Sequence, residues 1–187
     1  MKSWVHNNGL GLFFGVIFVA ALVGQALTGH ALFNQDQVTA GLEPITLGQY
    51  VLSSSFGVDV AENWQSEYLQ FLLYISATIW LVQKDSPESK ELDQSGLGTD
   101  KDQLVGQYAQ PDSPAWARIK GWRQHLYGNS LVLVMGGIFF LSWFAQSVAG
   151  TGAYNEQQLQ NLQAPISWAH YVASPEFWNR TLQNSGL

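Results

Sequence analysis

The sequence predicts an all-α integral membrane protein, and three observations carry that expectation. Only 12% of the 187 residues are charged, against roughly 25% in an ordinary soluble domain. The remaining charge is segregated, leaving apolar runs long enough to cross a hydrocarbon core of about 30 Å at about 1.5 Å per residue. A stretch near Asn8 also recurs near Asn129. The expected architecture is three transmembrane helices, over about 9–31, 62–83 and 126–149. Two amphipathic helices on the outer face, over about 45–53 and 166–173, complete it.

The first span, GLGLFFGVIFVAALVGQALTGHA (Gly9 to Ala31), contains no Asp, Glu, Lys or Arg. A cleaved signal peptide is the competing reading, because Lys2 precedes the run, but signal cores are only about 7–15 residues long. Gly11 and Gly15 form a GxxxG, and Ala20 and Gly24 continue small residues along one face, which favours close packing on another helix. The span leaves the membrane through a polar exit, FNQDQ, that includes Asn34.

Pro44 then opens a short amphipathic stretch, as a first helical turn needs no backbone donor. Ile45, Tyr50 and Val51 give it an apolar side suited to a membrane surface. The second span centres on YLQFLLYISATIWLV (Tyr68 to Val82) and is short, so it must reach back through Glu62 to Glu67 to cross. A buried soluble helix is the alternative. Trp64 and Tyr68 at one end and Trp80 at the other read as interfacial anchors. Glu62 and Glu67 read as solvated residues at a helix start or, less simply, as a carboxylate pair.

From Lys84 to Gly121 the chain is rich in Asp, Ser, Gly and Lys, and reads as a solvated, partly mobile loop. The third span, LYGNSLVLVMGGIFFLSWFAQSVA (Leu126 to Ala149), is again free of charge. Six of the eight Lys and Arg lie between the second and third spans, and none lies between Leu32 and Glu67. The positive-inside rule therefore puts the N-terminus and the long loop in the cytoplasm and the C-terminus in the periplasm or outside the cell.

A gapless internal match at an offset of 121 joins Asn8 to Asn129, Gly15 to Gly136, Gln25 to Gln146, Asn34 to Asn155, Pro44 to Pro165, Tyr50 to Tyr171 and Phe56 to Phe177. Such register points to duplication of one unit, and the charge distribution makes the two copies parallel. The expected division is a first unit over 1–83, a polar cytoplasmic loop over 84–121, and a second unit over 122–187 that ends at NSGL, where a fourth span would otherwise begin.

Gln25 and Gln146 each sit below the end of an apolar helix and need hydrogen-bond partners there. They serve as glue between helices, worth about 0.6–2 kcal/mol each, as a polar ligand or ion site between the helices, or as groups solvated by water at the outer face. Among the four His, His30 and His170 fall on the outer side and carry a haem or chlorophyll-type alternative, although their repeat partners, Thr151 and Gln49, are not His. The default expectation is no cofactor, no metal and no catalytic residue, as no GxSxG, HExxH, Walker loop or dinucleotide fingerprint is present. A net charge of −6 argues against nucleic acid as a partner.

The run GLFFGVIFVAALVGQALTGHALFNQ, the stretch LGQYVLSSSFGVDVAENWQSEYLQ and the later KDSPESKE together resemble a family of bacterial membrane proteins described as a domain of unknown function. NWQSEYLQ and SPESKE are the most specific parts. The resemblance implies a bacterial inner-membrane protein built from two copies of a helix pair, and it brings no activity or cofactor. The expected role is a non-catalytic membrane subunit or scaffold, in contact with lipid, that associates with itself or with a larger membrane complex. Binding or transport of a small molecule, lipid or ion between the repeats is the alternative, and a haem or pigment-binding accessory subunit is the third reading.

Overall fold

A computed structural model describes residues 2–84, 90–91 and 94–184. Among these, every regular element is helical. In chain order they are α1 (Lys2–Asn7), α2 (Gly9–Thr39), α3 (Leu47–Val51), α4 (Ser54–Trp80), α5 (Trp122–Gly128), α6 (Ser130–Gln160), α7 (Trp168–Val172) and α8 (Pro175–Asn184). Two 3₁₀ turns, Gly106–Tyr108 and Ala115–Arg118, lie between α4 and α5.

Helices α2 and α6 are each 31 residues long, and both are long and apolar enough to cross a membrane. They outrun the apolar runs that mark them, because the polar exits FNQDQ and YNEQQ continue the helix rather than leave it. Asn8 and Asn129 define where each starts. The Asn8 side-chain amide donates to the Trp4 carbonyl and that of Asn129 to the His125 carbonyl, both at 2.8 Å, each closing the short helix in front. The expected third span therefore needs correction: Leu126 and Tyr127 belong to α5, and the long helix begins at Ser130.

Helix α4 is 27 residues long. It starts at Ser54, eight residues before the boundary expected from hydropathy, because the Ser53 hydroxyl accepts the Phe56 N–H and caps the first turn. Glu62 thus lies two turns inside the helix, not at its start. At the other end α4 stops at Trp80, so residues 81–83 lie outside it. The two amphipathic helices are shorter than expected, five residues each.

The chain forms two compact units, residues 1–60 with 146–173 and residues 61–145 with 174–187. The first is built around buried Tyr50, Val58, Gln146, Ser147 and Tyr171. There α4 meets α6 closely: a Cβ at Gly57 would touch the Ala149 methyl at 3.4 Å, and one at Gly152 would collide with the Ser54 side chain.

In the second unit α8 joins α4 to α6. Phe177 is buried with its ring 6.1 Å from that of Trp143, the Trp143 indole donates to the Thr181 hydroxyl at 3.3 Å, and Arg180 pairs with Glu62 at 3.1 Å. The long loop is also less open than its composition suggests. Its residues 85–89, 92 and 93 lie outside the described residues, as do residues 185–187 of the expected NSGL end. The remainder buries Val105 and Ala117, and Gln124 donates to Asp100 at 2.8 Å. Thr99 donates through its hydroxyl and N–H to Asp102, which holds that carboxyl below the usual carboxylate range.

Candidate functional site

The chemistry-bearing side chains gather in the first unit, at the turns that follow α2 and α6. After α2 the chain reverses through a left-handed Gly41 (φ 76°), with the Leu42 N–H returning to the Gln37 carbonyl at 2.8 Å. After α6 it reverses through Leu162 (φ 57°), with the Gln163 N–H on the Gln158 carbonyl at 2.8 Å. This is the Schellman way of satisfying the last carbonyls of a helix.

Each turn is then pinned back onto its helix. Asn34 Oδ1 accepts the Ile45 N–H at 2.8 Å and its Nδ2 donates to the Ile45 carbonyl at 2.9 Å. Asn155 does the same to Ile166, at 2.8 and 3.0 Å. An Asn amide carries one acceptor and one donor side by side, so it matches both groups of a single residue. Thr46 and Ser167 next cap α3 and α7 with the same backbone angles, φ −73° and ψ 158°. Thr46 and Gln49 complete a capping box, in which the Gln49 side chain accepts from the Thr46 N–H at 2.8 Å.

One turn further on, Tyr50 and Tyr171 are buried, with their hydroxyls against the Cα of Gly29 and Gly150. A Cβ at Gly150 would stand 2.6 Å from the Tyr171 oxygen, and one at Gly29 would collide with that of Tyr50. Burial, and then the charge of Asp59, push the Tyr50 phenol above its ordinary pKa of 10.0. The Ser55 hydroxyl reaches the Glu156 carboxylate at 3.5 Å, and the Trp168 indole donates to Ser147 at 3.0 Å.

The sequence-selected residues are not all brought together. His30 sits at the first turn, its Nε2 2.7 Å from the Ile45 carbonyl, so the tautomer protonated there donates to backbone. His170 is exposed in α7, its Nδ1 3.4 Å from the Ser167 hydroxyl. Gln146 is wholly buried, whereas Gln25 is half-buried. Gly11, Gly15 and Gly24 have nothing within 4 Å of a would-be Cβ. Trp64 stacks obliquely on Tyr68 at 6.0 Å, and Trp80 is 63% exposed. Sequence reasoning missed the two Tyr–Gly wedges, although the Tyr50/Tyr171 match contained their rings and Gly29 and Gly150 stand at the same offset of 121. It also missed Gln65, which is 0% exposed in the second unit.

Chemically, these side chains fasten backbone to backbone and hold two short helices in fixed positions. Around them stand exposed apolar groups, Leu52 and Leu162 foremost. A profile for a domain of unknown function, DUF6766, matches residues 1–185. The chain belongs to the DUF6766 family. No curated protein and no solved structure matches it. Within this DUF6766 chain, no group of three or more His, Cys, Asp and Glu is placed to hold a metal ion among the described residues.

Proposed function

We propose that this DUF6766 protein is a non-catalytic membrane subunit or scaffold of the bacterial inner membrane, which associates with itself or with a larger membrane complex. The observation that carries this reading is the bareness of α2. None of its most apolar stretch is buried within the chain, and Leu10, Val16 and Phe13 are among many large side chains left exposed. Contiguous apolar surface on that scale requires lipid or protein to cover it.

In this reading α2, α4 and α6 all cross the membrane. Helix α4 crosses with its apolar half, Tyr68–Trp80, in the hydrocarbon and its acidic half at the outer interface. The two Asn–Ile hooks, the two Tyr–Gly wedges and the two Ser caps before α4 and α8 recur at the 121-residue offset of the sequence match. That recurrence supports descent from one duplicated unit whose copies run parallel. The rigid hooks then serve as outer platforms, presenting α3 and α7 to the interface.

Extraction in mild detergent, with sizing, absorption and mass spectrometry of one peak, tests the role. The expected result is a colourless assembly, either several copies of this chain or this chain in fixed ratio with other membrane subunits. A monomer-sized peak would remove the scaffold reading. A Soret or chlorophyll band would replace it with a pigment-binding subunit.

A further inference from the structure

Between Ala115 and Gly128 the chain carries Arg118, Lys120 and Arg123 and no carboxylate, although the whole protein has a net charge of −6. All three cations are exposed, and none pairs with an Asp or Glu among the described residues. Arg118 donates to the Pro111 carbonyl, and the Arg123 guanidinium lies 5.4 Å from the centre of the Trp122 ring. Those contacts orient the side chains without cancelling their charge. Trp116 is exposed in the same segment, and Trp122 is 66% exposed.

Helix α5 sets the direction of these groups. Its Gln124 side chain donates to Asp100 at 2.8 Å, a Cβ at Gly106 would stand 2.9 Å from the Gln124 amide, and one at Gly128 would stand 2.6 Å from the Gln103 side chain. Positions 124 and 128 therefore face the loop. With 3.6 residues per turn, the opposite side of α5 is formed by Trp122 and Leu126, with Arg123 at its edge, and all three are exposed. The turn Ala115–Arg118 packs alongside α5, with Ala117 buried and Trp116 and Arg118 exposed. A single residue, Asn129, separates α5 from α6, so this face adjoins the first turn of a helix long enough to cross a membrane.

We propose that this basic, aromatic face is a docking surface for anionic phospholipid headgroups of the cytoplasmic leaflet. The inference rests on the reading that α6 crosses the membrane with the long loop in the cytoplasm, and it adds the lipid chemistry. With α6 entering the hydrocarbon near Ser130, Trp122 and Leu126 stand at headgroup level. An indole is favoured there, and a short apolar helix side is covered by the acyl boundary. Arg118, Lys120 and Arg123 then donate charge-assisted hydrogen bonds to lipid phosphate. Charge selects the lipid: zwitterionic headgroups have no net charge to match three unpaired cations, whereas each juxtamembrane Lys or Arg strengthens attachment to an anionic leaflet about fivefold.

The test is native mass spectrometry of the full chain released from nanodiscs of phosphatidylcholine and phosphatidylglycerol in equal amounts, which counts each lipid retained. Wild type is expected to retain more phosphatidylglycerol, and the combined variant Arg118→Gln, Lys120→Gln, Arg123→Gln to lose most of that preference. Each cation removed alone should lower the ratio by up to about fivefold. Lys101→Gln should keep it, because Lys101 lies beside the Asp102 carboxylate. A second readout leaves all three cations in place: a bimane label on Trp116→Cys in vesicles should be quenched more by spin-labelled phosphatidylglycerol than by spin-labelled phosphatidylcholine, and the difference should shrink as salt screens the surface. Equal retention of the two lipids by wild type, or an unchanged preference in the combined variant, overturns the proposal and leaves α6 as a membrane span. A chain that does not enter nanodiscs at all overturns the membrane reading itself, and the proposal with it.

Discussion

The side-chain amide of Asn34 grips both backbone groups of Ile45, accepting its N–H at 2.8 Å and donating to its carbonyl at 2.9 Å. In the tautomer protonated at Nε2, His30 gives the Ile45 carbonyl a second donor; in the other tautomer the same Nε2 accepts from the Asn34 amide at 2.9 Å. The position matching His30 after α6 is Thr151, whose hydroxyl donates instead to the Ser147 carbonyl at 2.7 Å. Asn155 therefore holds Ile166 without that support. Truncation at either Asn should cost about 1–3 kcal/mol, the penalty for part-buried backbone groups that lose their partner. Asn155→Ala should cost more than Asn34→Ala. Asn34→Asp, which keeps the acceptor and loses the donor, should fall between wild type and Asn34→Ala. Thermal unfolding of the four proteins in one detergent gives the order, and equal losses at both Asn would show that His30 contributes nothing.

The Tyr–Gly wedges predict a rescue. Gly150→Ala puts a methyl 2.6 Å from the Tyr171 hydroxyl, and the ring is buried, so it has little room to yield. Overpacking of this kind costs about 1–3 kcal/mol. Removing the oxygen leaves ring carbons at 3.1 Å as the nearest atoms. Gly150→Ala with Tyr171→Phe should then lose less stability than the two single changes summed. Additive losses would place the strain of Gly150→Ala somewhere other than at Tyr171.

Hydropathy made the two long apolar helices readable, as a charge-free run of about twenty residues has few other uses. It misjudged their ends, because FNQDQ and YNEQQ are polar without being helix-breaking, and the helices stop only at Gly41 and Leu162. The break at Asn129 was hidden too, since it depends on an amide turning back to the His125 carbonyl within an apolar run. In the loop, Val105 and Ala117 stand in short apolar clusters, Leu104–Val105 and Ala115–Ala117, with no period to betray which member is buried. Asn34 and Asn155 stood out as matched polar residues, but their common target, one Ile backbone eleven residues on, depends on the path of the turn.

The orientation proposed from the charge distribution is open to a direct check, because the chain has no Cys. A Cys at Leu162, 97% exposed after α6, should react with an impermeant maleimide in intact cells. A Cys at Lys101, in the loop that carries most of the positive charge, should react only after permeabilisation. The reverse pattern would overturn the proposed topology, and labelling of both in intact cells would mean that α6, the long helix between the two sites, does not cross.

Leu162 occupies a backbone conformation suited to glycine, and the turn after α2 does use glycine, Gly41, in that role. The left-handed region costs an L-residue roughly 1–2 kcal/mol, part of which glycine returns through the greater freedom of its unfolded chain. Leu162 is 97% exposed, so its side chain adds no burial within the protein to offset that cost. Leu162→Gly should raise the stability of the isolated chain by about 0.5–1 kcal/mol, and Gly41→Leu should lower it by a similar amount. Both are read as shifts in melting temperature in detergent. A loss of stability in Leu162→Gly would have a definite meaning, because the only compensation left for Leu162 is apolar contact with something outside the chain. Measurement in detergent and in lipid bilayers separates lipid from protein: a loss in detergent that grows with protein concentration places Leu162 against another protein chain, whereas a loss that appears only in bilayers, and does not depend on protein concentration, places it in the membrane interface.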